Sequence, residues 1–332
     1  MMTPPLSAAQ PLLSVQDLRV RVQSKDMDVS IVNGVSFDVR QGETLCLLGE
    51  SGSGKSVTLR ALMRLLPHTA RLSGRVCLDG KQVLDLNPGQ LMALRGGVVS
   101  MVFQEPLTAF DPVFTIGQQI VETVRWHERI GRAQARARAL ELLELVQIPS
   151  AARRLDAYPH ELSGGLRQRA MIALALSCRP KLLLADEPTT ALDASVQIQI
   201  LLLLRRLQEE LGMATIIVTH DLGVAAEMAD RLAVMYAGRF VETGDLRAVL
   251  REPRHPYTRS LLASTLMAGS DGGKLEPIPG SPPDLASLPP GCSFAPRCSE
   301  ARPACLAAVP PLQLQEDGRG LRCPRMSHAS AH

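Results

Sequence analysis

The segment Gly-Glu-Ser-Gly-Ser-Gly-Lys-Ser at residues 49–56 constrains the fold more than any other part of the sequence. The strand-like run Thr44–Leu48 precedes it, and a helical pattern over Val57–Leu66, which Pro67 is expected to end, follows it. The glycines allow consecutive backbone N–H groups to converge on phosphate oxygens, and the start of the helix adds a favourable dipole. The pattern therefore predicts a phosphate-binding loop at the edge of a largely parallel α/β sheet.

Two side chains of this loop are expected to supply charge and a metal ligand. Lys55 should reach the β- and γ-phosphates of bound ATP, and Ser56 should ligate Mg²⁺. A helix dipole contributes only about 0.3 to 1 kcal/mol at an exposed site, so the N–H groups and Lys55 must provide most of the binding. The residues predicted to bind ATP here are Gly49, Glu50, Ser51, Gly52, Ser53, Gly54, Lys55, Ser56 and Val57.

Polar residues at the ends of two other strand-like runs extend the predicted site. Asp186 and Glu187 follow Lys181–Ala185, and ligands of parallel sheets bind where such strands end. Asp186 is suited to Mg²⁺, which leaves Glu187 to polarise the attacking water. His220 follows the run Thr215–Thr219, where its imidazole is expected to contact the γ-phosphate and hold the water in place.

The pattern of the chain changes twice along its length. Strand-like and helical runs alternate from Leu12 to about Gly244, as expected for an α/β fold. Between Thr115 and Cys178 the strand signal disappears and Leu140, Leu143 and Val146 recur at helical spacing, which predicts a helical subdomain. After Gly244 a short helical stretch leads into an extended linker rich in proline, at Pro277, Pro279, Pro282, Pro283, Pro289 and Pro290.

Composition excludes several classes of protein. The net charge of +3 over 332 residues gives no electrostatic reason to expect a nucleic-acid partner. The most apolar runs, Lys181–Ala185 and Ile198–Leu204, are far shorter than the roughly 20 residues that cross a bilayer, so we expect any membrane association to be peripheral. Residues 1–10 lack the pattern of a secretory signal, which indicates that the protein is not exported.

Cysteine placement adds one candidate metal site. A chain that is not exported is not expected to form a disulfide framework from its seven cysteines. Cys46, Cys77 and Cys178 are interpreted as small core residues. The other four could hold zinc, a [4Fe–4S] cluster or no metal. They are separated by five, six and seventeen intervening residues, at Cys292, Cys298, Cys305 and Cys323.

One further segment indicates a protein family: Leu162-Ser163-Gly164-Gly165, followed by Leu-Arg-Gln-Arg. Together with the phosphate-binding loop, Asp186-Glu187 and His220, this segment resembles the ATP-binding subunits of ABC transporters. The resemblance implies a P-loop ATPase core with a mixed or parallel sheet and a helical signature subdomain. It also implies that one chain's signature meets the γ-phosphate held by its partner's loop, through Ser163, Gly164, Gly165 and Gln168.

Further positions match the family one at a time. Gln104 matches the glutamine that senses Mg²⁺ and the attacking water, and residues 104–115 resemble the surface that receives the membrane subunits. Asp193 matches the acidic position of the loop that communicates between the two ATPase chains. Relatives usually stack an aromatic residue on adenine, but this chain has Val22 there, so Val22 and Ile31 are expected to offer apolar contact instead.

The C-terminal third narrows the resemblance. Two segments, Pro253–Thr258 and Gly291–Cys298, are similar to the C-terminal extension of dipeptide and oligopeptide permease ATPases. This resemblance favours an iron–sulfur cluster as the group that the four cysteines hold, with zinc as the alternative. The match covers roughly Leu12–Pro324. The organisation implied is a flexible N-terminus at 1–11, a nucleotide-binding domain at 12–245 with its helical subdomain at about 115–178, and a cysteine-containing extension at 246–332.

The resemblance implies an ATP-hydrolysing motor for dipeptide or oligopeptide import at the cytoplasmic face of the inner membrane. Since the chain has one phosphate-binding loop and one signature, it needs a second ATPase chain, and the permease family favours a homologous partner over an identical copy. Two membrane permease subunits and an extracytoplasmic solute-binding protein would complete the assembly. The alternatives are import of nickel or another small solute, and a soluble ABC ATPase without a transport role.

Overall fold

The structure is a computed structural model that describes residues 10–23, 28–190, 192–266 and 278–324. The chain divides into two compact units. The first contains the described residues of segments 1–14, 38–44 and 77–217. The second contains those of segments 15–37, 45–76 and 218–332. The predicted flexible N-terminus at 1–11 lies mostly outside the described residues.

The strands are β1 Leu13–Gln23, β2 Asp28–Val39, β3 Thr44–Leu48, β4 Ala70–Leu78, β5 Lys81–Gln82, β6 Val99–Val102, β7 Leu182–Asp186, β8 Ala214–Thr219, β9 Arg231–Tyr236, β10 Arg239–Asp245, β11 Gln313–Leu314 and β12 Gly320–Leu321. The helices are α1 Lys55–Leu62, α2 Pro88–Gly97, α3 Pro106–Ala109, α4 Ile116–Glu128, α5 Arg132–Leu145, α6 Ala151–Arg154, α7 Gly164–Leu176, α8 Ala194–Leu211, α9 Leu222–Met228, α10 Leu246–Arg251, α11 Pro256–Leu266 and α12 Pro303–Ala307. Among the described residues, no helix has both the length and the apolar character needed to cross a membrane.

Buried parallel strands form the centre of the first unit. β6 pairs in parallel with β7, in a register that runs from Val99 opposite Leu182 to Val102 opposite Ala185. Every residue of both strands is buried, which explains their continuous apolar sequence. The strand predicted at Lys181–Ala185 lies one residue further along, so Asp186 is its last residue and does not follow it.

Helices alone occupy the stretch from Thr115 to Cys178, as the loss of strand signal predicted. Thr115 begins α4 with a capping box, in which its hydroxyl accepts from the Gln118 N–H and the Gln118 side chain accepts in return. The helical spacing interpreted over Leu140–Val146 corresponds to α5, where Leu143 is fully buried. This helical stretch ends just before β7 and carries the signature segment at the start of α7.

The second unit contains both parallel and antiparallel strand pairs. β3 pairs in parallel with β9, from Leu45 opposite Arg231 to Leu48 opposite Val234. β9 and β10 are antiparallel, and β12 adds to β10 with Glu242 opposite Leu321. The residues near the C-terminal end of the described chain therefore extend the sheet whose strand β3 leads into the phosphate-binding loop.

The helix after the loop is shorter than predicted. We expected it to span Val57–Leu66 and to end at Pro67, but α1 begins at Lys55 and ends at Leu62. Arg64 adopts a left-handed φ of 52°, and the Leu65 N–H donates to the Arg60 carbonyl at 2.8 Å. A left-handed residue with this hydrogen bond is a C-terminal cap, so backbone capping ends the helix before the proline does.

A buried carboxylate fixes the start of the C-terminal extension to β10. Glu242 is 0% exposed and accepts from the backbone N–H groups of Arg254 and His255. Its carboxylate also pairs with the guanidinium of Arg319, which is 3% exposed. A charge buried to this extent is stable only when it is paired and hydrogen-bonded, so the contacts fix the chain on both sides of the proline-rich segment. Residues 278–294, which include the described part of that segment, contain neither helix nor strand.

Candidate active site

The predicted phosphate-binding loop joins β3 to α1. Gly52 and Gly54 adopt left-handed φ values of 77° and 103°, which L-residues with side chains rarely adopt. A Cβ atom on Gly54 would also lie 2.9 Å from the Ile31 carbonyl oxygen, so only glycine fits there. These two glycines turn the backbone into the start of α1, where the N–H groups available to an anion are concentrated.

Lys55 is already directed into the loop. It is 4% exposed, and its ammonium group donates to the carbonyl oxygens of Gly49 at 2.7 Å and Glu50 at 2.9 Å. Ser51 and Gly52 are exposed at the outer turn of the loop, whereas Ser53 and Gly54 are buried, and Ser56 and Val57 are half-buried. The lysine is therefore held where a cation can meet phosphate oxygens that approach the exposed turn.

The two residues predicted to contact adenine lie on strands of the same unit. Val22 is half-buried on β1 and Ile31 is half-buried on β2. The Ile31 backbone lies against Gly54, and an added Cβ on Gly238 would also approach its carbonyl oxygen, to 2.3 Å. Contact of either side chain with adenine stays a prediction.

The acidic residues after β7 differ sharply in exposure. Asp186 is 0% exposed at the end of the strand, while Glu187 is half-buried and has a left-handed φ of 47°. A non-glycine residue in this conformation is uncommon and clusters at functional sites. Glu187 accepts hydrogen bonds on one carboxylate oxygen, Oε2, from the amide of Gln104 at 3.2 Å and the hydroxyl of Thr190 at 2.9 Å. Both of these donors are uncharged, so they orient the carboxylate without neutralising its charge.

His220 follows β8 directly and its side chain is exposed. The next residue, Asp221, begins α9 as its cap by accepting the Gly223 N–H at 2.7 Å. The chain therefore turns sharply at His220, at the end of a buried strand as its sequence predicted. Contact of the imidazole with a γ-phosphate stays a prediction.

The signature segment is an exposed helix start. Ser163 caps α7 through its hydroxyl, which accepts from the Leu166 N–H at 3.5 Å, and both Ser163 and Gly164 are exposed. A Cβ on Gly165 would lie 2.7 Å from a Val196 methyl carbon, so this position requires glycine. Gln168 differs from the others, because it is 2% exposed and its amide donates to the Pro188 carbonyl oxygen.

Asp193, predicted to lie in the loop between ATPase chains, begins α8. Its carboxylate accepts from the Val196 N–H at 3.0 Å and the Ser195 hydroxyl at 2.7 Å. These hydrogen bonds, with that of Ser195 the stronger, lower the pKa of Asp193 below its ordinary value. Ala191, the first residue of the predicted loop, lies outside the described residues.

The four C-terminal cysteines line one pocket, together with His255 and Phe294. The Cys292 N–H donates to the Cys305 carbonyl oxygen at 2.7 Å, which holds two of the four segments together. Burial raises the pKa of the Cys292 thiol, and the charges of nearby Cys305 and Cys323 raise it further. Within the described residues, no three His, Cys, Asp or Glu side chains are placed to hold a metal ion. None of the seven cysteines, all in the described part of the chain, takes part in a disulfide.

Comparison with known proteins identifies the family. Residues 32–190 match the family model described as ABC transporter, and residues 241–305 match the oligopeptide/dipeptide transporter C-terminal region. A Brucella abortus protein, named for peptide import and ATP binding, is 50% identical over 97% of this chain and 99% of its own length. The chain belongs to the ABC transporter family.

Two further similar proteins support the assignment of this chain to the ABC transporter family. The oligopeptide transport ATP-binding protein OppD of Salmonella typhimurium is 47% identical over 95% of this chain and 94% of its own length. A dimeric ATP-binding cassette, MJ0796, in a post-hydrolysis state bound to ADP and Pi, is 30% identical. It superposes with a TM-score of 0.64 over 71% of this chain and 99% of its own. The predicted ABC ATPase fold is therefore confirmed.

Sequence reasoning missed three residues of this ABC ATPase that contact its site. The hydroxyl of Thr190 donates to the carboxylate of Glu187, which lies three residues earlier in the chain. A hydroxyl residue three positions after the glutamate is a local signal that could have indicated this contact. Tyr257 and Arg297 contact Glu50 from 207 and 247 residues away in the sequence. No local pattern indicates pairing over such a distance, although both residues lie in segments that matched the permease extension.

Proposed function

We propose that this protein is the ATP-hydrolysing subunit of an ABC importer for dipeptides or oligopeptides. The observation that carries the ATPase role is the carboxylate of Glu187, oriented by Gln104 and Thr190 directly after buried Asp186. The match of residues 241–305 to the oligopeptide/dipeptide transporter C-terminal region supports the peptide substrate. So does the name of the OppD relative, which is similar over nearly its whole length.

The residues of the site have the chemistry that ATP hydrolysis requires. Lys55 and the N–H groups of the loop bind the β- and γ-phosphates. The hydroxyl of Ser56, the carboxylate of Asp186 and the amide oxygen of Gln104 are oxygen donors of the kind that Mg²⁺ prefers, so the chemistry of each donor suits the ion. When bound, Mg²⁺ would neutralise part of the negative charge on the phosphates.

Glu187 and His220 act on the water in this proposal. The carboxylate of Glu187 takes a proton from water as the water oxygen bonds to the γ-phosphorus and the bond to the ADP oxygen breaks. Gln104 and Thr190 hold that carboxylate in one orientation, so little reorganisation is needed when the reaction begins. His220 contacts the γ-phosphate and keeps the water in line.

A second ATPase chain completes each site in the proposed assembly. Ser163, Gly164 and Gly165 act on ATP held by the partner's loop, and Asp193 transmits the state of one chain to the other. Gln168, predicted to join them, is buried and donates to the Pro188 carbonyl oxygen, so it supports α7 from within. The exposure of Ser163 and Gly164 at the start of a 13-residue helix supports this, since a helix N-terminus favours an anion. The dimeric state named for MJ0796 is consistent with it. We favour a homologous chain as the partner, as in the permease family.

Two membrane permease subunits and an extracytoplasmic solute-binding protein are the other proposed partners. The surface at residues 104–115 is the candidate contact with the membrane subunits, at the cytoplasmic face of the inner membrane. Leu107, Val113 and Phe114 are 53%, 68% and 47% exposed there. Apolar side chains exposed together are typical of protein interaction sites, which supports this choice of surface.

For the cysteine pocket, we propose a [4Fe–4S] cluster, with Zn²⁺ as the alternative ligand. Four thiols line one pocket and are the type of donor that either group requires, which supports the proposal, but no three described side chains are already placed to hold a metal ion. Iron and acid-labile sulfide analysis of anaerobically purified protein tests it, together with a visible absorption spectrum. About four irons and four sulfides per chain are expected; stoichiometric zinc would favour the alternative, and neither metal would contradict both.

The experiment that tests the function is isolation of the native complex through a tag on this chain, followed by mass spectrometry. We expect a homologous ATPase, two membrane proteins and a receptor whose bound ligand is a short peptide. A nickel chelate or another small solute in the receptor would overturn the peptide assignment. Recovery of the chain on ribosomes or DNA, without membrane proteins, would overturn the transport role.

A further inference from the structure

An arginine from the C-terminal extension reaches the phosphate-binding loop. The guanidinium of Arg297 contacts both carboxylate oxygens of Glu50, at 2.7 and 3.1 Å. The two side chains are 6% and 23% exposed. A two-point contact between guanidinium and carboxylate is among the strongest side-chain interactions, and partial burial protects it from solvent screening. Glu50, the second residue of the loop, is therefore fixed by a residue 247 positions later in the chain.

A second residue of the extension holds the backbone of Glu50. Tyr257, on α11, is 0% exposed, and its hydroxyl oxygen accepts the Glu50 N–H at 2.9 Å. This N–H is occupied within the protein, so the N–H groups that meet phosphate come from later residues of the loop. Side chain and backbone of Glu50 are thus held at two separate points.

Arg297 is itself held in place for this contact. Its Nε donates to the Pro279 carbonyl oxygen at 2.8 Å, and its guanidinium carbon lies 5.9 Å from the centre of the Tyr236 ring. The hydrogen bonds to Glu50 raise the pKa of Arg297 above its ordinary value. The Tyr236, Tyr257 and Phe294 rings pack against one another with centroids 4.6 to 5.3 Å apart. The arginine is therefore presented by a packed aromatic cluster, and it loses little entropy in forming the pair.

The position of Glu50 matters because its carbonyl helps to position Lys55. The lysine ammonium group donates to the carbonyl oxygens of Gly49 and Glu50, at 2.7 and 2.9 Å. The Gly49 backbone lies close to that of Met235, since an added Cβ would be only 2.3 Å from the Met235 carbonyl oxygen. Releasing Glu50 would therefore move one of the groups that align the lysine with the phosphates.

We propose that Arg297 and Tyr257 are positioning residues of the phosphate-binding loop, which hold Glu50 so that Lys55 and the loop N–H groups are aligned for ATP. The C-terminal extension then sets nucleotide affinity, in addition to any role of its cysteines. The two features are adjacent in the chain, since Cys298 follows Arg297 at the end of a 3₁₀ turn, Ala295–Arg297. The proposal rests on ATP binding by the loop and is independent of the transported solute.

The test uses Glu50→Gln, Arg297→Gln and the double variant in the full-length chain. We expect each single variant to raise the nucleotide Kd and the KM for ATP about tenfold, with kcat changed less than about twofold. In the double variant the losses should not add, because each residue acts through the other. Arg297→Lys, which keeps the charge but only part of the contact, should restore part of the affinity.

Arg259→Gln is the matched control. It breaks another ion pair of the same extension, between Arg259 and Glu300 at 2.6 Å, that does not involve the loop. Its Kd should equal that of the unmodified protein. Kd values for Glu50→Gln and Arg297→Gln within about twofold of this control would overturn the proposal, as would losses that add fully in the double variant. If Arg297→Gln does not fold, Glu50→Gln, which keeps the shape of the side chain, decides the question alone.

Discussion

The two glutamates that follow the buried strands β3 and β7 are held in different ways. Glu50 is paired with the positive charge of Arg297, and its N–H is bound by Tyr257. Glu187 accepts hydrogen bonds from two uncharged donors, Gln104 and Thr190. A charged partner neutralises a carboxylate and fixes it, whereas neutral donors orient it without adding an opposite charge. The partners, more than the residue type, therefore separate a structural anchor from a candidate base.

Removing the charge of Glu187 should give the largest effect on hydrolysis. Glu187→Gln keeps the shape of the side chain but cannot take a proton, so ATP turnover should fall about 100- to 10,000-fold while ATP stays bound. Steady-state ATPase assays of the assembled complex, with nucleotide titration, measure both quantities. Glu144→Gln, on the exposed face of α5, is the control and should have no effect. Unchanged turnover would show that Glu187 is not the base, and its proposed role would then no longer differ from that of Glu50.

Substitution of Lys55 tests the phosphate-binding loop that contains Glu50. Here we expect a change in nucleotide affinity and not in the rate of turnover. Lys55→Ala removes a buried cation directed into the loop, so the nucleotide Kd should rise about 10- to 100-fold. Titration with a fluorescent ATP analogue measures this. Lys81→Ala, at an exposed position on β5, should leave affinity unchanged. Equal affinities in the two variants would mean that Lys55 does not contact phosphate.

Tyr257→Phe sharpens the account of Glu50 by removing a single hydroxyl. One hydrogen bond to the loop backbone is lost while the aromatic packing remains, so the nucleotide Kd should rise only about two- to fivefold. The same titration applies. Tyr158→Phe is the matched control, because Tyr158 is 39% exposed and lies in the helical stretch of the other unit. An effect no larger than that of Tyr158→Phe would contradict the hold on the Glu50 backbone.

The smallest expected effect concerns Asp193, a third carboxylate that is held by uncharged donors. Hydrogen bonds lower its pKa in the folded protein, so its charge stabilises the fold above the ordinary pKa of 3.8. This contribution is lost as the pH falls through the lowered value. Asp193→Asn keeps the capping oxygen but removes the charge, so its Tm should be lower at pH 6 by on the order of 1 °C. The difference should shrink as both proteins are acidified, and one that persists unchanged would contradict the shift.

Local patterns predicted the central strands well and the ends of elements less well. β3 and β8 are continuous buried runs, so their sequences alone located them to within one residue. The helix after the loop ended early because Arg64 takes a left-handed conformation, which no proline or glycine signals. Burial of Asp186 within β7 also had no signal, since carboxylates ordinarily follow a strand and do not complete it.

Candidate site residues were predictable where a motif is contiguous and were missed where the contact is distant. The loop at 49–56 and the pair Asp186-Glu187 carry their chemistry in neighbouring residues. The anchor of Glu50 depends on Arg297, which lies 247 residues later in the chain. A single sequence contains no measure of such a long-range contact.

The most direct test of the proposed function is uptake of a labelled dipeptide into vesicles that contain the whole complex and its receptor, with ATP on the side of this chain. The unmodified complex should accumulate the peptide only when ATP is present, and the complex with Glu187→Gln should accumulate almost none. Uptake that needs no ATP, or that Glu187→Gln leaves unchanged, would contradict the assignment of this chain as the motor.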